Sequence, residues 1–317
     1  MVRVTDPAYG RFEVVDDVSD LSFAVVTVLT SIGRVRAAVC SGGGRVATIF
    51  LHGVGLTLES WTPVIQAARS AGLSTDDWVL LDVPGFGDSD ALESGTTIEQ
   101  VGEAVMSAAH QLGYSSFILV GHSMGGFLAL DMASRAPRGL LSVLSISGAY
   151  GGIVQAVNHP LVSLRERPVT WLVYQALRAA TATSVLTRLL PRHLIPSDVI
   201  ALALSPVAAH PRSLPVTFLR SIAEGMRSDS FRVAARTGVG YDVVHRWAQI
   251  TVPVTATFGR QDALVTAADL QALASAASST YVVPLEDVGH FAPVERPDLV
   301  AELVADLRAA EPGDEGD

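Results

Sequence analysis

The feature that most constrains this chain is residues 117–127, which read Phe-Ile-Leu-Val-Gly-His-Ser-Met-Gly-Gly-Phe. Phe117, Ile118, Leu119 and Val120 have the continuous apolar character of a fully buried strand, and Phe127, Leu128, Ala129, Leu130, Met132 and Ala133 that of a buried helix. A strand that becomes a helix within about two residues forces its pivot into an unfavourable backbone conformation, so the neighbours must lack a Cβ. Gly121 and Gly125 supply that clearance around Ser123. The serine hydroxyl would then stand at the end of a sheet, over free N–H groups and the positive end of a helix dipole. That setting favours an oxyanion. In a chain with 27 glycines the G-x-S-x-G spacing alone is weak, and the strand before it and helix after it give it weight.

The rest of the chain repeats this alternation. Residues 21–30 and 35–40 read as an opening hairpin, and Val46–Leu51 as a third strand that runs into His52-Gly53-Val54-Gly55. A helix is expected over 59–71, with Pro63 near its first turn, where a missing N–H costs little. Residues 78–83 form another apolar strand, closed by Pro84-Gly85-Phe86-Gly87, and Thr97 and Gln100 open a helix over 97–112 as a capping box. Strands over 140–147, 252–258 and 280–284, with helices over 267–277 and 297–309, complete a pattern that predicts a mostly parallel α/β sheet. The pattern breaks over 148–250. Prolines at 160, 168, 191, 196, 206, 211 and 215 punctuate that stretch, and its periodic segments, such as 170–180 and 218–223, read as short helices.

At 317 residues the chain exceeds what one compact core usually holds, so a large domain with a subdomain is expected. The division is a core of 1–147 and 251–310, a helical insertion of 148–250, and an acidic tail of 311–317. A net charge of −10 is unfavourable for nucleic acid or an anionic membrane as partner. Residues 1–20 lack the basic region and apolar stretch of a signal peptide, and 23–29 is too short to span a bilayer. The single cysteine, Cys40, allows no internal disulfide or multi-cysteine metal site and fits a reducing compartment. A cytoplasmic protein without metal or cofactor is therefore expected. The chain contains no lysine, which excludes Schiff-base and Ser-Lys mechanisms on inventory.

A serine hydroxyl is a poor nucleophile at neutral pH and needs a base within hydrogen-bond reach, itself oriented by an acid. Of the eight histidines, His122 adjoins Ser123 at a sharp turn, from which its side chain is expected to point elsewhere. His52 closes the third strand, His110 lies on a helix, and His159, His193, His210 and His245 fall in the insertion. His290 sits in Asp287-Val288-Gly289-His290-Phe291, a loop after the last strand, where parallel-sheet enzymes place functional groups. It is the expected base. Asp262 follows the strand over 252–258, while Glu286 and Asp287 decorate the histidine loop and Asp269 and Asp298 fall in helices.

The glycine-flanked serine resembles the nucleophile elbow of the α/β-hydrolase superfamily, and the resemblance extends over most of the chain. It implies a mainly parallel sheet, a helical cap inserted late, and a triad in the order Ser, Asp or Glu, His, which places Asp262 between Ser123 and His290. His52-Gly53 resembles the family's HG dipeptide and nominates the N–H groups of Val54 and Met124 as the oxyanion hole, although the HGGG form is missing. Dehalogenases and epoxide hydrolases of the superfamily use aspartate at the elbow, so Ser123 argues against them. The HGVG, Ser60-Trp61 and Pro84-Gly85-Phe86-Gly87 stretches resemble esterases, lactonases and hydrolases that cleave carbon-carbon bonds in ring-fission products. The expectation is a cofactor-free serine hydrolase cleaving an ester or lactone of a small, fairly apolar molecule. Trp171 and Tyr174 would line its pocket, and Arg165, Arg167, Arg178, Arg188 and Arg192 are available for a substrate carboxylate. The alternatives are a carbon-carbon bond hydrolase and a non-catalytic small-molecule binding protein on the same fold.

Overall fold

The computed structural model describes residues 8–148, 151–182, 196–225 and 239–310, with the backbone alone over 176–182. The 311–317 tail lies outside this range. Eight strands form one sheet in the order β1-β2-β4-β3-β5-β6-β7-β8. They are β1 Ala24–Thr30, β2 Gly33–Cys40, β3 Val46–Leu51, β4 Trp78–Leu81, β5 Ser116–His122, β6 Leu140–Ile146, β7 Val254–Gly259 and β8 Thr280–Leu285. The β1–β2 and β2–β4 pairs are antiparallel and the other five are parallel.

Burial on both faces explains why the central strands read as unbroken apolar runs. Ile49 and Leu51 of β3 join a core with residues of helices α2 (Ile98–Gln111) and α3 (Met124–Ser134). Phe50, between them, points to a second core with α1 (Thr62–Ser70) and the last helix, Pro297–Ala310. The capping box of Thr97 and Gln100 is present, with each side chain bonded to the other residue's backbone N–H.

Several boundaries differ from the sequence expectation: the strand over 78–83 ends at Leu81, that over 252–258 runs from Val254 to Gly259, and two other shifts have a local cause. The first strand starts at Ala24, because Val18–Leu21 is a 3-10 turn that Asp17 caps through the Ser19 N–H and Ser22 ends in the left-handed region at φ 59°. The helix expected from Glu59 begins as a 3-10 turn, Leu58–Trp61, and becomes α-helical at Thr62. The described residues between β6 and β7 are helical or irregular, with no strand among them. The helix over 170–180 extends to Pro168–Ala182 and that over 218–223 to Val216–Gly225. Proline at the first helical position accounts for the earlier start at Pro168, since its fixed φ suits a helix and its missing N–H is not needed there.

Candidate active site

The elbow is as tight as its glycines imply. Ser123 has φ 52° and ψ −116° between β5 and α3. A Cβ on Gly121 would stand 2.3 Å from the Gly125 carbonyl oxygen, and one on Gly125 would stand 2.1 Å from that of Leu51. A non-glycine residue has a φ near +50° only where its surroundings hold it there. Here β6 helps: the Ser123 N–H donates to the Ile146 carbonyl at 2.9 Å.

Parallel pairing carries the remaining groups to the same end of the sheet. Leu51 of β3 lies beside Gly121 of β5, and Gly259 of β7 beside Leu285 of β8, so the loops after these strands all open at the carboxyl edge. Gln261 stitches two of them together. Its N–H donates to the Val288 carbonyl and its side-chain oxygen accepts from the Val288 N–H, both at 3.0 Å. Asp262 and His290 thereby come face to face.

The structure brings Ser123, His290 and Asp262 into one hydrogen-bonded line. Ser123 Oγ is 2.9 Å from His290 Nε2, and His290 Nδ1 is 2.8 Å from Asp262 Oδ2. The second oxygen of Asp262 accepts from the Leu264 N–H at 2.7 Å. An ionised carboxylate only accepts, so Nδ1 carries the ring proton and Nε2 is left to accept from the serine hydroxyl. Ser123, His290 and Asp262 are 8 %, 4 % and 7 % exposed, a burial that strengthens each contact by excluding water.

The nominated oxyanion donors, the N–H groups of Val54 and Met124, belong to residues next to Gly53 and Ser123 in the chain. Met124 opens α3, so its N–H is one of those with no acceptor inside the helix. Val54 follows Gly53, where a Cβ would stand 3.2 Å from that of Ser123. Behind the loop, His52 is fully buried, its Nδ1–H donating to the Gly53 carbonyl at 2.8 Å and its Nε2 accepting from the Val83 N–H at 3.1 Å. Burial pushes His52 down from the ordinary imidazole range.

His122 departs from the sequence expectation. Its side chain turns toward the site, with Nε2–H donating to the His290 carbonyl at 2.8 Å and its ring 5.3 Å from that of His290. Burial, reinforced by His290, pushes it down to about 3, so it is neutral at pH 7. Sequence reading also passed over Glu295. A lone acid after the apolar Ala292-Pro293-Val294 carries a signal of burial, and its side chain bonds to both residues flanking His290. Trp171 and Tyr174 are half-buried in the helix Pro168–Ala182, and the contacts of Ser123, His290 and Asp262 described above do not reach them. Of the arginines, Arg165 is exposed and Arg167 is bound to Asp269, while the side chain of Arg178 and the whole of Arg188 and Arg192 lie outside the described residues.

The profile of the alpha/beta hydrolase family matches residues 48–303. The chain belongs to this family. Among solved structures it resembles that of a carboxylesterase, CesB, from Bacillus subtilis, with a TM-score of 0.69 at 18% identity over 92% of this chain and 93% of the other. The enol-lactonase from Burkholderia xenovorans superposes with a TM-score of 0.67 at 18% identity, over 90% of this chain and 100% of that one. At such identities the likeness shows the fold. A dihydrolipoyllysine-residue acetyltransferase component of an acetoin cleaving system, from Cupriavidus necator, is 37% identical over 125 residues. The match spans 39% of this chain and about a third, 32%, of that relative.

Proposed function

We propose that this alpha/beta hydrolase is a serine hydrolase that cleaves an ester or lactone bond of a small, fairly apolar molecule through an acyl-enzyme. The observation that carries the reading is the unbroken line from Ser123 Oγ through His290 to Asp262, with both hydrogen bonds below 3 Å. Ser123 attacks the carbonyl carbon while His290 Nε2 takes the hydroxyl proton, and Asp262 holds the ring tautomer and stabilises the imidazolium. The N–H groups of Val54 and Met124 bind the oxyanion. His290 then returns the proton to the departing alkoxide, and water repeats the sequence to release the acid.

The chain reads best as a core of 1–147 and 251–310 with 148–250 as its cap. In support, described residues of the segment reach the site through several contacts. The His290 N–H donates to the Val207 carbonyl at 2.6 Å, Phe218 lies edge-on to Phe291 at 5.2 Å, and Tyr241 lies edge-on to Phe127 at 4.7 Å. Apolar rings on both sides favour an apolar substrate. Carbon-carbon cleavage would use the same triad but also needs a cation to hold an anionic substrate end. Of the described cap arginines weighed for that task, Arg167 is committed to Asp269 and Arg165 faces solvent, which favours the ester reading.

The test is covalent labelling by a fluorophosphonate, with the modified peptide located by mass spectrometry, followed by turnover of aryl esters, lactones and a ring-fission dienoate on one preparation. Labelling at Ser123 with turnover of an ester or lactone is expected. No labelling and no turnover would point to a binding protein. A dienoate preferred at least about a hundredfold over every ester and lactone would replace the reaction and keep the triad.

A further inference from the structure

His290 is held by its backbone as well as by its ring. The residues on either side of it are bonded to one carboxylate, that of Glu295, which is fully buried in the helix Ala292–Glu295. Glu295 Oε2 accepts from the Gly289 N–H at 2.8 Å, the Ala209 N–H at 2.9 Å and the Tyr9 hydroxyl at 2.7 Å. Its Oε1 accepts from the Phe291 N–H at 2.9 Å. The Tyr9 hydroxyl accepts in turn from the His210 N–H at 2.9 Å. One carboxylate thus joins the N-terminal segment, the segment around Ala209 and the histidine loop.

All four partners are donors, so the ionised form is the one they satisfy. Burial pushes the Glu295 carboxyl up from its ordinary range, and the bonds from Tyr9, Ala209, Gly289 and Phe291 pull the other way. An uncharged amide there would turn its own N–H groups toward donors. Among the described residues Asp82, Asp131 and Asp269 are as deeply buried, yet they bond to Arg36, Leu58 and Asp88, to Arg135, and to Gly152, Arg167 and Thr266 respectively. None of those partners adjoins Ser123, His290 or Asp262.

We propose that Glu295 is a positioning residue, whose carboxylate fixes the peptides on both sides of His290 and so sets where the imidazole stands relative to Ser123. This rests on the reading of His290 as the general base. The 2.9 Å contact between Ser123 and His290 is the quantity at stake, since a shift of about 1 Å in a reacting group costs on the order of a hundredfold in rate. Ordinary substrate contacts are untouched, so the loss falls on kcat.

The experiment compares wild type with Glu295→Gln, Glu295→Asp and Tyr9→Phe, each checked for folding by circular dichroism and thermal melting. It reads kcat, KM, the rate of fluorophosphonate labelling of Ser123, and the low-field proton resonance of His290 Nδ1–H. For folded Glu295→Gln, kcat and the labelling rate are expected to fall together by about tenfold to a hundredfold with KM nearly unchanged. The resonance should shift or broaden, and Glu295→Asp, which keeps the charge, should lie between Gln and wild type. A purely structural role would lower the melting temperature and leave the resonance and the labelling rate alone. Glu295→Gln within about twofold of wild type in kcat and labelling would overturn the proposal. If Glu295→Gln does not fold, Tyr9→Phe decides, because it removes one donor and keeps the carboxylate. A smaller loss with a shifted resonance supports the proposal, and an unchanged resonance and rate overturn it. If wild type neither labels nor hydrolyses any ester, the catalytic reading fails by itself. The resonance in Glu295→Gln then still settles whether Glu295 positions His290, a shift supporting it and no shift overturning it.

Discussion

The sheet core and the 148–250 segment are built on opposite terms. In the core, strands β3 to β6 have their side chains buried on both faces, and the elbow leaves no room for a Cβ at Gly121 or Gly125. In the 148–250 segment, Leu161, Leu164, Leu172, Leu202 and Val244 are all exposed, and ten of the fourteen large exposed apolar side chains among the described residues fall there. The charge differs as well: the segment holds 11 of the 22 arginines and 5 of the 32 acids. The contrast separates two tasks. A reaction needs groups fixed to a fraction of an ångström, which packed strand ends supply, whereas a cover, the task proposed for 148–250, needs contact at a few points and can vary elsewhere.

The largest effect expected from breaking the core side of this contrast is chemical. Ser123→Ala removes the hydroxyl proposed as nucleophile and adds no bulk, so kcat should fall roughly 10³-fold or more with the melting temperature nearly unchanged. A folded mutant with over a tenth of wild-type activity would refute the assignment. Gly125→Ala strikes the packing of the same turn, since the new methyl would meet the Leu51 carbonyl at 2.1 Å. A loss of more than about 3 kcal/mol in denaturant unfolding is expected, and a mutant as stable as wild type would show that the turn relaxes.

The buried histidines make the core sensitive to acid. His122 is pushed down to about 3 from an ordinary 6.5, so between these values the unfolded chain binds a proton that the folded chain does not. Stability is therefore full above pH 6.5 and falls as the pH drops through that window, by about 2 kcal/mol for His122 alone on reaching pH 5. His52 is shifted the same way and adds to the slope. Unfolding curves at pH 7 and pH 5 for wild type and His122→Gln measure it, and an equal pH slope in both proteins would contradict the account. The 148–250 side should respond more gently. Each methylene removed from an acyl substrate should lower kcat/KM by about fourfold if the chain is enclosed, since a buried CH₂ is worth ~0.8 kcal/mol, and a length-independent rate would mean an open site. Leu161→Ser and Leu172→Ser, at 81 % and 57 % exposure, should change stability by no more than about 0.5 kcal/mol. A larger loss would mean that these side chains are covered in solution.

Legibility followed the same division. Strand β3 matches its expected bounds, and the capping box of Thr97 and Gln100 forms as read, because apolar runs and caps are local signals. The first strand and the helix after β3 start later than expected, since 3-10 turns at Val18–Leu21 and Leu58–Trp61 use hydrogen bonds that composition does not announce. At the site, Ser123 follows from the glycines around it. The inward turn of His122 does not, because its partner is a carbonyl 168 residues away. Glu295 went unread for the same reason, with donors at Tyr9, Ala209, Gly289 and Phe291 that no spacing connects.

By itself the sequence determined the alternation of strand and helix and the strained serine between two glycines, while the order of a serine, an aspartate and a histidine came from the family resemblance. The first two depend on side-chain period and on the absence of a Cβ, properties of a few consecutive residues. Only the tertiary structure decided which acid meets which histidine. Asp262 reaches His290 because β7 lies beside β8 with Gly259 opposite Leu285, and because Gln261 ties the two following loops together. It likewise decided which buried groups hold that histidine, since hydrogen bonds between distant segments form only once strand order and register have brought their ends together.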